Sequence, residues 1–240
     1  MALDEALMHR ARATGEWVLR VYSWQTPTIS LGRNQTARGR YDVDRFRVDD
    51  VDIVRRPTGG RAILHHREVT YSVTAPVASA GDLRASYERI NRLLLHALET
   101  LGVSARPAEP EHRTPAPGLA PCFDEPSAGE LTVGGRKLAG SAQWRVDGAL
   151  LQHGSILVAD DQSRLADYVV RGARPIPPPA TLAGLLGRMP SVEEVALALA
   201  QAVRTLEDPR ATPLELDDEV RARASALVVR YLDDAWTWRR

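Results

Sequence analysis

At 240 residues the chain is long enough to bury a substantial core, as one large domain or two small ones. Its 31 basic and 31 acidic residues balance, so no basic field marks a nucleic-acid or anionic-membrane partner. One cysteine excludes an internal disulfide, and the lack of a signal-like N-terminus or a long apolar run predicts a cytoplasmic protein that enters no membrane.

Leu3, Leu7 and Ala11 put an apolar stripe on an opening helix. Val18 to Trp24 and Thr28 to Leu31, rich in β-branched and aromatic residues, read as strands. A short apolar strand, Val51 to Val54, then runs through Arg55 and Arg56 into Pro57-Thr58-Gly59-Gly60-Arg61. Glycines there let the backbone bend and approach a ligand, leaving N–H groups for anionic or carbonyl oxygens. Taken alone, the pair also fits an ordinary turn. Glu68 to Ala75 alternates, with Val69, Tyr71 and Val73 on one side and Thr70, Ser72 and Thr74 on the other, which predicts a half-buried strand. A helix follows, with Leu83, Tyr87, Ile90, Leu94, Ala97 and Leu101 on one stripe and Gly102 placed to end it.

From Arg106 to Pro121, prolines at 107, 110, 115, 117 and 121 predict an extended loop without hydrogen-bonded structure. The loop delivers the chain to Cys122, which reads either as a small buried hydrophobe or as a nucleophile. Its neighbours form turns rather than an apolar periodic run, and a thiolate there would need a nearby cation such as Lys137. Glu130 to Val133 reads as a strand, and Val133-Gly134-Gly135-Arg136 as a two-residue hairpin turn. That register pairs Thr132 with Lys137 and Leu131 with Leu138. Leu131, Val133 and Leu138 then face the core, and Lys137 projects the other way, either as a solvated lysine or as a site lysine beside the small residues Gly140-Ser141-Ala142. Ala149 to Val158 is a buried strand interrupted by Gln152-His153-Gly154-Ser155, in which His153 is either structural or a base. After a break at Ile176 to Pro179, Ser191-Val-Glu-Glu forms a capping box for a helix through Val195, Leu199 and Leu206. A last helix spans roughly Asp217 to Asp233, with Val220, Leu227, Val228 and Tyr231; there are no internal repeats.

Arg55 to His65 and Gly135-Arg136-Lys137-Leu138-Ala139-Gly140-Ser141-Ala142-Gln143 together resemble the two signature blocks of the lipoate–protein ligase A/B and biotin ligase catalytic-domain superfamily. Cys122-Phe123-Asp124, Pro126-Ser127 and Glu130-Leu131 ahead of the second block look like the cysteine-dependent octanoyltransferase branch of Gram-positive bacteria. Met1 to Leu7, Pro27 to Gly32 and Thr181 to Leu186 extend the resemblance over nearly the whole chain. It implies one α/β (α+β) domain over residues 1–240, with a central mixed, mainly antiparallel sheet flanked by helices. It also implies no accessory domain, and a first helix normally preceded by a short strand that this sequence lacks.

The resemblance further implies the site. Cys122 would carry the acyl group and Lys137 would contact the acyl carbonyl oxygen. Arg56, Thr58, Gly59, Gly60, Arg61, His65, Gly140, Ser141, Ala142, Gly154 and Ser155 would bind substrate, with no metal. Position 66 departs from the pattern, since His66 stands where the family has aspartate. The implied reaction is octanoyl transfer from an acyl carrier protein thioester to a lysine of a lipoyl domain or glycine cleavage H protein, by a monomer without cofactor. The alternative is a lipoate ligase that makes lipoyl-AMP with ATP and Mg²⁺, and a second alternative is a non-catalytic acyl-binding relative. The cysteine block, Arg61 after the glycine pair and the chain length favour transfer.

Overall fold

The N-terminal stripe forms α1 (Ala2–Thr14), which ends where Gly15 takes φ +80° and its N–H caps Ala11. The computed structural model describes residues 1–109, 129–170 and 177–240. After α1 come β1 (Val18–Tyr22), β2 (Thr28–Leu31), α2 (Val43–Val48), β3 (Asp52–Arg55), β4 (Ile63–His65) and β5 (Glu68–Pro76). There follow α3 (Val77–Ala80), α4 (Leu83–Thr100), β6 (Arg106–Pro107), β7 (Leu131–Val133), β8 (Arg136–Val146) and β9 (Ala149–Leu157). A 3₁₀ turn (Gln162–Tyr168), α5 (Leu182–Leu186), α6 (Val192–Leu206), α7 (Asp218–Leu232) and α8 (Asp234–Thr237) complete the chain. Side-chain caps fix several helix starts; on the longer helices Asp82 accepts from Ala85 N, Ser191 from Glu194 N, and Asp217 from Val220 N.

The strands form two sheets. The larger is antiparallel, in the order β1-β5-β9-β8-β7-β6, and the smaller is β3-β2-β4, where β2 runs parallel to β3 and antiparallel to β4. The mixed, mainly antiparallel character is therefore divided, with the one parallel pair among the described strands in the small sheet. Helices α4 and α6 cover one face of the large sheet, packing Ile90, Leu94, Val195 and Leu199 onto Val69, Tyr71 and Val73. Across the sheet lies α1, whose Met8 meets Ala149 and Leu151, and α7 in turn packs Val220 onto Ala6 and Leu7. The small sheet has its own core of Ile29, Leu31, Leu64, Phe46 and Tyr168.

Four expectations change. The alternation on β5 is real, but the strand is buried on both faces, because α1 covers the polar side and Ser72 Oγ donates to Asp4 Oδ1 at 2.8 Å. Arg106 and Pro107 are not unstructured: they pair with Thr132 and Leu131 at the sheet edge, where a missing N–H is tolerated. Residues 110–121 of that predicted loop, and Ile176 of the second break, lie outside the described residues. The hairpin pairs Thr132 with Lys137, but Leu131 meets Ala139 rather than Leu138, because β8 carries an extra residue. Finally, the apolar stripes are narrower than their spacing suggests: Leu83 at the start of α4 is 60% exposed and Val228 on α7 is 41% exposed. Among the described residues no helix is long and apolar enough to cross a membrane.

Candidate active site

The glycine turn between β3 and β4 is held by the two arginines before it. Arg55 is wholly buried and donates to the carbonyls of Gly32, Gln35 and Thr237 at 2.6, 2.8 and 2.8 Å. Burial, with Arg239, Arg240 and Arg56 nearby, pulls its pKa down to about 10. Arg56 donates to the carbonyls of Ser30, Gly59 and Arg61 at 2.8, 2.9 and 2.7 Å, folding the turn onto the end of β2. Gly60 adopts φ +92°, and a Cβ on Gly32 would lie 1.9 Å from the Gly60 carbonyl oxygen. Two bare backbones touch there, which requires glycine.

The turn forms one wall of a cavity of about 420 Å³, a size suited to a small organic group. Arg56, Gly59, Gly60, Arg61 and His65 line it from the small-sheet side. Gly140, Ser141 and Ala142 of β8 and Gly154 and Ser155 of β9 line it from the large sheet. Of the proposed substrate-binding residues, ten therefore meet at one cavity. Thr58 stands apart: it is buried behind the wall, and its Oγ1 lies 2.6 Å from His153 Nε2.

Lys137, on β8, does not itself line this cavity and does not project freely. It is 3% exposed, and its ammonium donates to Glu130 Oε1 at 2.7 Å; Glu130 itself lines the cavity. The bulge on β8 re-aims the lysine inward. Gly140 makes the space, since a Cβ there would lie 2.7 Å from Lys137 Cε. The expectation that small residues leave room beside the lysine holds; the room is filled by its own stem. Cys122 lies outside the described residues.

His153 lines the cavity as a neutral ring. Burial holds its pKa down to about 3, and Arg56 adds to that effect against the opposing charge of Asp4. His66 points elsewhere: its Nδ1 is 3.4 Å from Asp161 Oδ2, on the side where Arg67 also pairs with Asp161 at 2.8 Å. Sequence reasoning missed several lining residues, among them Tyr22, Trp24, Thr70, Tyr87 and Gln143. Tyr87 was hidden within the helical apolar stripe, and Thr70 within the polar side of β5. Among the described residues no cluster of three or more His, Cys, Asp or Glu could hold a metal ion.

Residues 1–204 match the lipoyl protein ligase A/B catalytic domain. The chain is 41% identical, over its full length and 94% of the relative, to octanoyltransferase LipM of Kyrpidia tusciae. It is 38% identical to octanoyltransferase LipM of Symbiobacterium thermophilum, again over its full length and 93% of the relative. Among solved structures, the bi-partite lipoate protein ligase of Thermoplasma acidophilum superposes with a TM-score of 0.78 at 22% identity, covering 99% of this chain and 89% of that one. That likeness bears on the fold, and agrees with an α+β domain whose mainly antiparallel sheet is flanked by helices. With the family match spanning most of the sequence and the curated relatives spanning all of it, this chain belongs to the lipoyl protein ligase A/B catalytic-domain family.

Proposed function

We propose that the protein is an octanoyltransferase that moves an octanoyl group from a carrier-protein thioester to a lysine of a lipoyl domain or glycine cleavage H protein. The observation that carries this reading is full-length identity of 41% and 38% to two octanoyltransferases. The cavity supports it, with a volume suited to an eight-carbon chain and a buried lysine paired to Glu130 of its wall. Cys122 Sγ attacks the thioester carbonyl carbon and the carrier thiol leaves with the proton, giving an acyl-enzyme. The acceptor's neutral ε-amine then attacks the new thioester. The C–S bond breaks, an amide forms, and the Cys122 thiol is regenerated with the proton that the amine loses. Lys137 sits at the carbonyl oxygen in both halves and stabilises the charge that develops there. Gly59, with nothing within 4 Å of where a Cβ would stand, leaves space for the chain. The enzyme works as a cytoplasmic monomer without cofactor or metal.

The experiment is a parallel assay with one lipoyl-domain acceptor and two donors: octanoyl carrier protein without ATP, and free octanoate with ATP and Mg²⁺. Modification from the thioester alone, with an octanoyl adduct on the intact enzyme that hydroxylamine releases, is the expected result. Modification from the free acid that requires ATP and persists in Cys122→Ala makes the protein a ligase.

A further inference from the structure

Glu68 does not line the cavity, yet three of the residues that do so are anchored to one of its oxygens. It is 3% exposed, at the start of β5. Its Oε1 accepts from Thr70 Oγ1 at 2.6 Å, from Ser155 Oγ at 2.7 Å and from His65 Nδ1 at 2.7 Å. The network continues outward in both directions. Trp24 Nε1 donates to Thr70 Oγ1 at 2.8 Å, and the Trp24 ring stacks on His65 with centroids 4.3 Å apart. On the far side of the imidazole, Nε2 lies 2.7 Å from Ser30 Oγ, which also accepts from Arg56 Nη1 at 3.0 Å.

These contacts define one direction of donation. A carboxylate oxygen only accepts, so His65 Nδ1 carries the proton toward Glu68. Ser30 Oγ already accepts from Arg56, which leaves its own hydrogen for the bare Nε2 of His65. The chain Arg56 to Ser30 to His65 to Glu68 is then satisfied at each step. Both ring nitrogens are occupied and one ring face is covered by Trp24, so His65 serves as a fixed piece of wall rather than a base. The second carboxylate oxygen, Oε2, is buried without a hydrogen-bond partner among the described residues. Such an atom costs stability, so burial of this carboxylate is poorly explained by stability alone.

We propose that Glu68 is a positioning residue of the acyl site: through His65, Thr70 and Ser155 it fixes the tautomer and the wall against which the acyl chain is bound. The inference rests on reading the cavity as the acyl site. Glu68→Gln keeps an acceptor oxygen but loses the charge, and Glu68→Met keeps the length but loses every acceptor.

Three measurements on the full chain test it. ¹⁵N spectra of histidine-labelled protein, with His65 identified by its loss in His65→Gln, are expected to show the Nδ1–H form in the wild type and loss of that preference in Glu68→Met. Calorimetry with octanoyl-pantetheine is expected to show binding weakened about tenfold or more in Glu68→Met and by less in Glu68→Gln, as charge-assisted bonds exceed neutral ones. KM for the thioester rises in the same order, while kcat at saturation changes less. Thermal stability does not follow that order, because Glu68→Met removes the unpartnered Oε2 whereas Glu68→Gln puts an unpartnered amide nitrogen in its place. Wild-type binding with unchanged tautomer and affinity in both variants overturns the role of Glu68. So do losses of affinity that simply track losses of stability. No binding of octanoyl-pantetheine by the wild type overturns the acyl-site reading itself, a different result from either.

Discussion

Thr58 Oγ1 and His153 Nε2 lie 2.6 Å apart across 95 residues of sequence, tying the glycine turn to the middle of β9. The ring in this link is buried and held neutral, with a pKa of about 3 against an ordinary 6.5. The folded protein thus refuses a proton that the unfolded chain accepts below about pH 6.5. The resulting stability is whole above that pH and is lost as pH falls toward 3, by on the order of a few kcal/mol over the whole window. Asp4, whose carboxyl is held at about 2 against an ordinary 3.8, weakens the fold only at lower pH. His153→Gln, which keeps a hydrogen-bonding group without titrating in this range, is therefore expected to flatten the fall in Tm between about pH 6.5 and 4. A Tm profile as steep as that of the wild type would assign the titration elsewhere.

Lys137 is expected to matter for rate. Lys137→Ala should lose transfer about 10²- to 10³-fold, as for a missing oxyanion donor. Lys137→Arg should not restore it, because a planar fork does not fit the slot that Gly140 leaves for a linear stem. Some loss of Tm accompanies the alanine variant, since Glu130 loses a buried partner at 2.7 Å. Single-turnover kinetics at a temperature where both proteins are folded separates the two effects.

For Cys122, removal of the thiol should abolish the acyl-enzyme. Cys122→Ala is expected to give no hydroxylamine-sensitive octanoyl adduct by mass spectrometry, with transfer reduced by several powers of ten, about 4–8 kcal/mol in barrier. Undiminished transfer by that variant would remove the covalent intermediate from the mechanism.

Two glycines of the cavity should respond differently to the same substitution. A Cβ on Gly154 would lie 2.4 Å from the Gly140 carbonyl oxygen and 2.7 Å from Tyr71 Cε1, so Gly154→Ala must push β8 and β9 apart. A cost of about 1–3 kcal/mol, read as a lower denaturant midpoint, is expected. Gly59 has nothing within 4 Å of the same position, so Gly59→Ala should fold normally. Its methyl group takes up cavity space instead, and KM for the acyl donor should rise. Equal midpoints for the two variants would contradict this geometry.

Local chemistry was legible in the sequence wherever the interacting groups are neighbours along the chain. Ser191 caps an N–H three residues on, and Gly134-Gly135 closes a turn between adjacent residues, so each announces itself. The alternation of β5 and the two signature blocks were equally plain, and with them the family. Partners far apart in sequence were not legible. Alternation said that Thr70, Ser72 and Thr74 share a side, but only the packing of α1 made that side an interior. Period and turn type put Lys137 opposite Thr132, yet a bulge turned it from a surface position into a buried partner of Glu130. Thr58 looked like a ligand residue because it sits in the glycine turn, and it became the support of a histidine on another sheet. Tyr22 and Trp24 reach the cavity from one segment, and Tyr87 reaches it from another far along the chain. No sequence period links them, because a cavity wall is assembled by where the two sheets and α4 come to rest, and that is settled by burial of the whole apolar surface rather than by any local residue pattern.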